Sequence, residues 1–159
     1  LYHATNSKIT ELILSSGIMK PGKYGLMGGG IYFCDNPQLC CRKALTPSGG
    51  EPLQIIVCLV FMGRMQTVDT GTFSSHVYGR NNNGRKVNFE SLSGRDIDSI
   101  EFLRIDPETK TAGGTEYIVY DSKQCVVLGT YEQIKDGKVN VSPEIYEEVI
   151  SHNFNGCPY

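Results

Sequence analysis

The chain contains no tryptophan and no apolar stretch of membrane-spanning length. Its longest apolar run, Ile55 to Met62, has the length of a buried strand. Charge of one sign is also missing: 15 basic and 17 acidic residues leave a net charge of −2. That excludes a strong general affinity for nucleic acid, which needs concentrated Lys and Arg. None of the six cysteines is spaced as CxxC, and no Cys/His set has zinc-ligand spacing, so no metal site is expected. Cys58 and Cys125 fall inside apolar strand patterns, as ordinary buried thiols do. Reduced cysteines imply an intracellular setting. A signal-peptide pattern is missing and the first residue is not Met, so we expect residues 1–159 to be a single domain cut from a longer protein.

What is present is an ordinary globular composition, 40% apolar and 20% charged, with 18 glycines. Leu1 to Ala4 reads as a short strand. A helix follows, capped by Asn6 or Ser7 and stopped by Gly17, with Ile9, Leu12 and Ile13 as its apolar stripe. Pro21 to Gly30 is a loop with five glycines, and Ile31 to Phe33 is extended. Asp35 or Asn36 then caps a second helix with Pro37 in its first turn, running to Ala44. Leu53 to Met62 reads as a central strand covered on both faces, which Met65 to Val68 extends after a bend at Gly63. Further strands are expected at Val87–Phe89, Ser99–Ile105, Glu116–Tyr120 and Gln124–Thr130, with a loop over Thr109–Thr115. Ser142-Pro143 starts a last amphipathic helix carrying Ile145, Tyr146, Val149 and Ile150. Many short strands with two early helices and one late one make an α+β fold, with a mainly antiparallel β-sheet split into two packed parts.

The loop "YGLMGGGIYF", Tyr24 to Phe33, invites a phosphate-loop reading. A P-loop ends in G-K-[ST], but Ile31 and Tyr32 follow Gly30 here. A dinucleotide fingerprint needs Gly where Phe33 stands, and a strand before the loop where this chain has a helix. Both readings fail. Glycines ahead of a strand also let the main chain approach a flat ligand, with Tyr32 placed to stack on it.

Three separated stretches complete a pattern: "LYHAT" (1–5), "GGGIYFCDNP" (28–37) and "GTEYIVYDSKQCVVLGTYEQI" (114–134). In order and spacing they resemble the catalytic domain of the poly(ADP-ribose) polymerase family, the diphtheria-toxin-like ADP-ribosyltransferases, and in particular its short microbial and protist members. The resemblance covers roughly residues 1–134 and implies a split-sheet core holding NAD+ in a cleft. By motif match, His3 hydrogen-bonds ribose hydroxyls of NAD+, and the backbone of Ala4, flanked by Thr5, holds the nicotinamide carboxamide. Tyr32, entered through Gly30, stacks on the nicotinamide ring. Glu116 hydrogen-bonds the ribose 2′-hydroxyl and supports the developing positive charge. Taken singly, each of these residues has an ordinary structural explanation; their joint occurrence in family order is what points to a site.

The chemistry requires these residue types. Cleaving the nicotinamide–ribose bond generates an oxocarbenium-like sugar, as in glycoside hydrolysis. A neighbouring carboxylate stabilises it, an aromatic face orients the departing ring, and a neutral imidazole both donates to and accepts from sugar hydroxyls. The chain departs from the family pattern at three positions. Ala4 stands where Gly is usual, Cys40 where a Ser is frequent, and Lys43 where a second stacking Tyr is frequent. The second face of the ring is then left to another side chain, with Tyr24 the candidate. The resemblance implies transfer of a single ADP-ribose to a protein acceptor, with the segments Thr70–Gly94 and Asp106–Thr115 facing it. NAD+ hydrolysis, a nucleic-acid acceptor met by Arg80, Arg85 and Lys86, and a catalytically weak NAD+ or ADP-ribose binding module are the alternatives.

Overall fold

The computed structural model describes residues 1–23, 25, 27–43, 53–69, 97–105 and 112–138. The expected strand Val87–Phe89, the helix from Ser142, Tyr24 and the segment Thr70–Gly94 lie outside these residues. Strand β1 (Tyr2–Asn6) leads into helix α1 (Ser7–Ser16), and β2 (Ile31–Cys34) into α2 (Pro37–Lys43). Then come β3 (Leu53–Val60), β4 (Met65–Asp69), β5 (Ser99–Ile105) and β6 (Ala112–Val119). A 3-10 turn (Ser122–Gln124), β7 (Cys125–Thr130) and helix α3 (Tyr131–Lys135) follow. The fold is α+β, with one seven-stranded sheet in the order β4-β5-β6-β2-β1-β3-β7. All pairings are antiparallel except β4–β5, so the sheet is mixed. No helix among the described residues is long and apolar enough to cross a membrane.

The helix punctuation works as its residue types dictate. Asn6 Oδ1 accepts from Ile9 N at 2.8 Å, and Gly17 ends α1 in the left-handed region at φ 67°. The Asn36 side chain accepts from Gln38 N and Leu39 N at the start of α2.

The junction between β1 and β2 is a single register pair, Tyr2 with Cys34, whereas β1 pairs with β3 along all five of its residues. Two blocks of strands, β4-β5-β6-β2 and β1-β3-β7, therefore part company just beyond that pair. The expected split is a one-pair hinge rather than a complete separation. The blocks also meet at their far ends. Five peptide steps from Val60 to Met65 span at most about 18 Å, whereas five strand spacings of a flat sheet would require about 24 Å. The sheet must curl, and Gln124 clasps the closure by donating from Nε2 to both Phe61 O (3.1 Å) and Asp98 O (3.0 Å). Beside it Ser99 Oγ donates to Met62 O, and Arg64 grips Asp98 through its backbone N and Nε.

Three expectations need correction. The strand Leu53–Val60 is not covered on both faces: it lies one place from the sheet edge, with Ile56 and Cys58 buried and Gln54 exposed. An apolar run fixes burial only on average; neighbours decide the rest. The doubly covered strand is β6, where Ile118 and Val119 are both fully buried on opposite faces. Nor does Met65–Val68 extend β3. It forms β4 at the opposite end of the order, in parallel register with β5. Finally, Ala112 to Thr115 are strand rather than loop. Gly113-Gly114 has poor strand propensity, but pairing with the long β5 overrides it. A Cβ on Gly114, at φ +121°, would sit 2.2 Å from Leu39 Cδ2, so glycine alone lets α2 pack over this stretch.

Candidate functional site

The parting of β1 from β2 opens a cleft of about 880 Å³, within the range of ligand pockets. Its lining includes His3, Ala4 and Thr5 from β1, Tyr32 and Cys34 from β2 with Gly30 just ahead, Cys40 from α2, and Glu116 from β6. Sheet register explains the convergence. Cys34 stands opposite Glu116, and Tyr32 opposite Ile118, so Tyr32, Cys34 and Glu116 share one face of the sheet. His3 enters from β1, across the gap, where its Nδ1 contacts Tyr32 O at 2.8 Å.

That contact fixes the histidine tautomer. A carbonyl only accepts, so Nδ1 carries the proton and donates, leaving Nε2 as the acceptor of the ring. Burial pushes the His3 pKa below its ordinary value, and the Tyr32 carbonyl only partly offsets this. His3 is thus a neutral imidazole at pH 7. Its ring meets Phe33 edge-on at 5.9 Å.

Tyr32 is held at both ends. Its hydroxyl accepts from Met27 N (2.8 Å) and donates to Gly28 O (2.8 Å), both in the glycine loop. Burial raises its pKa, and the charge of Glu116 adds to the rise, against the bond from Met27. The phenol stays protonated and its ring orientation is set. The loop follows the hydroxyl so closely that a Cβ on Gly25 would sit 2.0 Å from it. Glu116 is 6% exposed and lines the cleft from β6. Its backbone is bracketed by Cys34 on one side and Phe102 on the other.

Cys40, buried in α2, donates from Sγ to Tyr2 O at 3.2 Å, beside the one-pair hinge. Lys43 closes α2, and its side chain, like the whole of Tyr24, lies outside the described residues. The second face expected for a bound ring is therefore not assigned. Cys58 and Cys125 are buried thiols as anticipated, each pushed up to about 12 chiefly by burial, which keeps them unreactive.

Sequence reasoning missed the opposite wall. Ile9, Leu12 and Ile18 line the cleft yet are 44%, 67% and 51% exposed. The apolar stripe of α1 was legible, but only Ile13 of its three residues is buried in the core. The pattern signals an apolar face and does not say whether that face meets core or cleft.

No protein-family model matches the chain, and no curated protein is significantly similar to it. What fold and site define on their own is an α+β protein with a mixed, curled sheet. A buried acid, a neutral imidazole and a fixed phenol line its one-pair opening.

Proposed function

We propose that the chain is an NAD+-dependent ADP-ribosyltransferase of the poly(ADP-ribose) polymerase type, transferring one ADP-ribose to a protein acceptor. The observation that supports this reading is convergence. His3, Tyr32 and Glu116, drawn from three stretches of the sequence, line one cleft of dinucleotide size. Tyr32 and Glu116 share one face of adjacent strands, and His3 reaches the same cleft from β1 where that strand parts from β2.

The residues present fit NAD+. The acceptor Nε2 of His3 suits a ribose hydroxyl, and its protonated Nδ1 is already committed to Tyr32 O. The Tyr32 ring offers a flat face whose orientation does not change on binding. Glu116 places negative charge where a ribose would acquire positive charge. In the reaction, the bond from ribose C1′ to the ring nitrogen breaks with its electron pair going to nitrogen. Nicotinamide then leaves neutral, without a proton from the protein. The acceptor's nucleophilic atom forms the new bond to C1′ and loses its proton.

Incubation with NAD+ labelled in the adenine half, following free nicotinamide and label together, tests the reading. Wild type is expected to release nicotinamide and to label a protein. Glu116→Gln, which keeps the shape and removes the charge, is expected to bind NAD+ but turn over roughly 10²–10³-fold more slowly, the range for losing one electrostatic stabiliser. Equal turnover in the two proteins would sink the role of Glu116. Nicotinamide release with no labelled macromolecule would replace transfer by NAD+ hydrolysis.

A further inference from the structure

A hydrogen-bonded path joins the residue just after β6, the strand that carries the acid, to the phenol on β2. Tyr120, immediately after β6, is 4% exposed, and its hydroxyl donates to Met27 O at 2.7 Å, 93 residues earlier in the chain. Met27 is fully buried, and its own N–H donates to the Tyr32 hydroxyl. That hydroxyl donates on to Gly28 O. The peptide groups on either side of Met27 are thus pinned, one by each tyrosine. Tyr120, Met27 and Ile118 also form one apolar cluster, against which Tyr32 packs.

Strand geometry adds the second half. Side chains alternate along β6, so Glu116 and Ile118 fall on one face, and Tyr120, one residue past its end, packs with Ile118 on that side. One rigid strand therefore carries the carboxylate of the cleft and leads, four residues on, to the anchor of the loop that orients the phenol. A linked set of bonds in a dry environment is stiffer than its members alone. In "EYIVY" the acid and the anchor stand four residues apart, the anchor one residue beyond the strand.

We infer that Tyr120 is a positioning residue that holds the glycine loop, and through it the Tyr32 ring, at a fixed place relative to Glu116. Its consequence for NAD+ rests on the proposed function; its consequence for the loop does not. Tyr120→Phe removes one hydroxyl and keeps the packing. Amide hydrogen exchange at Met27 and Gly28 reads the loop directly, and the Michaelis constant for NAD+ reads the site.

The expected result is exchange at Met27 roughly tenfold faster or more, with exchange in β3 and β7 unchanged. The KM for NAD+ should rise severalfold or more, with a smaller fall in kcat. A uniform rise in exchange across the sheet would mean that Tyr120 only contributes stability, and would overturn the inference. So would unchanged exchange at Met27, or faster exchange there with unaltered KM. If wild type neither binds nor turns over NAD+, the functional reading fails; faster exchange confined to Met27 and Gly28 would still support the anchoring of the loop. Glu116→Gln is the control: it removes the charge and leaves the Tyr120, Met27 and Tyr32 groups of the path in place, and should leave Met27 exchange as in wild type.

Discussion

One wall of the cleft is strand and the other is helix. On the strand wall, β1, β2 and β6 present His3, Tyr32 and Glu116, each buried or half-buried and each on a backbone laddered to its neighbours. Behind it lie Phe33, Ile56 and Val119, all buried in one cluster. On the helix wall, α1 and the turn after it present Ile9, Leu12 and Ile18, apolar and substantially exposed. Behind them only Ile13 and Thr10 of the helix reach the interior. The same cleft therefore joins a wall whose side chains cannot shift without disturbing the core to a wall whose side chains touch little. Groups that must meet a reacting bond need fixed geometry; groups that only cover apolar ligand surface do not.

If that contrast holds, deleting a core side chain behind the strand wall has the largest effect on stability. Phe33→Ala should cost roughly 3–5 kcal/mol, the range for truncating a buried phenylalanine. In a chain of this size that lowers the thermal midpoint by roughly 6–20 °C. Calorimetry or circular dichroism melting measures it. A fall under about 3 °C would mean that the strand wall can collapse around the cavity and is not the rigid side.

The strand wall was also the more legible one. His3, Tyr32 and Glu116 were picked out by motif resemblance, and each falls in a strand that borders the cleft. Their convergence was not readable, since it depends on the strand order and on the single pair Tyr2–Cys34, which no local pattern encodes. The caps Asn6 and Gly17 were legible because they act within one turn. The position of β4 was not. A bend at Gly63 is local, while the curl that carries β4 to the other end of the sheet is held by Gln124, Arg64 and Asp98 from distant segments. The strand character of Gly113-Gly114 was hidden for a related reason: it comes from pairing with β5 and contact with Leu39, not from the glycines.

A smaller effect, confined to acid, sharpens the contrast at His3. Burial lowers its pKa in the folded chain from the ordinary 6.5. Above that value the ring is neutral in both states and contributes no pH dependence. Below it the unfolded chain takes up a proton that the folded chain resists, so the unfolded state binds more protons and stability falls as pH falls. The loss grows until the folded ring itself protonates, then levels off. Urea midpoints at pH 7.5 and 5.0 measure this, and His3→Gln, which keeps a hydrogen-bonding side chain but cannot titrate, should remove its share. Because His76 and His152 remain in both proteins, the difference isolates His3. Equal acid sensitivity in wild type and variant would mean that the ring gains its proton freely, and that the strand wall does not hold it dry.

The smallest effect on stability belongs to the helix wall. Leu12 is 67% exposed, so Leu12→Ser removes little buried surface, and surface substitutions of this kind stay within about 0.5 kcal/mol. The melting midpoint should move by no more than about 2 °C. Ligand binding should respond more strongly than folding. Covering the exposed part of a leucine is worth about 1–2 kcal/mol, a fraction of the roughly 1.5–3 kcal/mol for full burial, so, on the proposed function, the Kd for NAD+ should rise roughly five- to thirtyfold. Calorimetric titration of the two proteins measures that ratio. Destabilisation by several degrees would place Leu12 in the core after all and erase the distinction between the walls. An unchanged Kd with an unchanged midpoint would leave α1 bordering the cleft without taking part in it, and would confine recognition to the strand side.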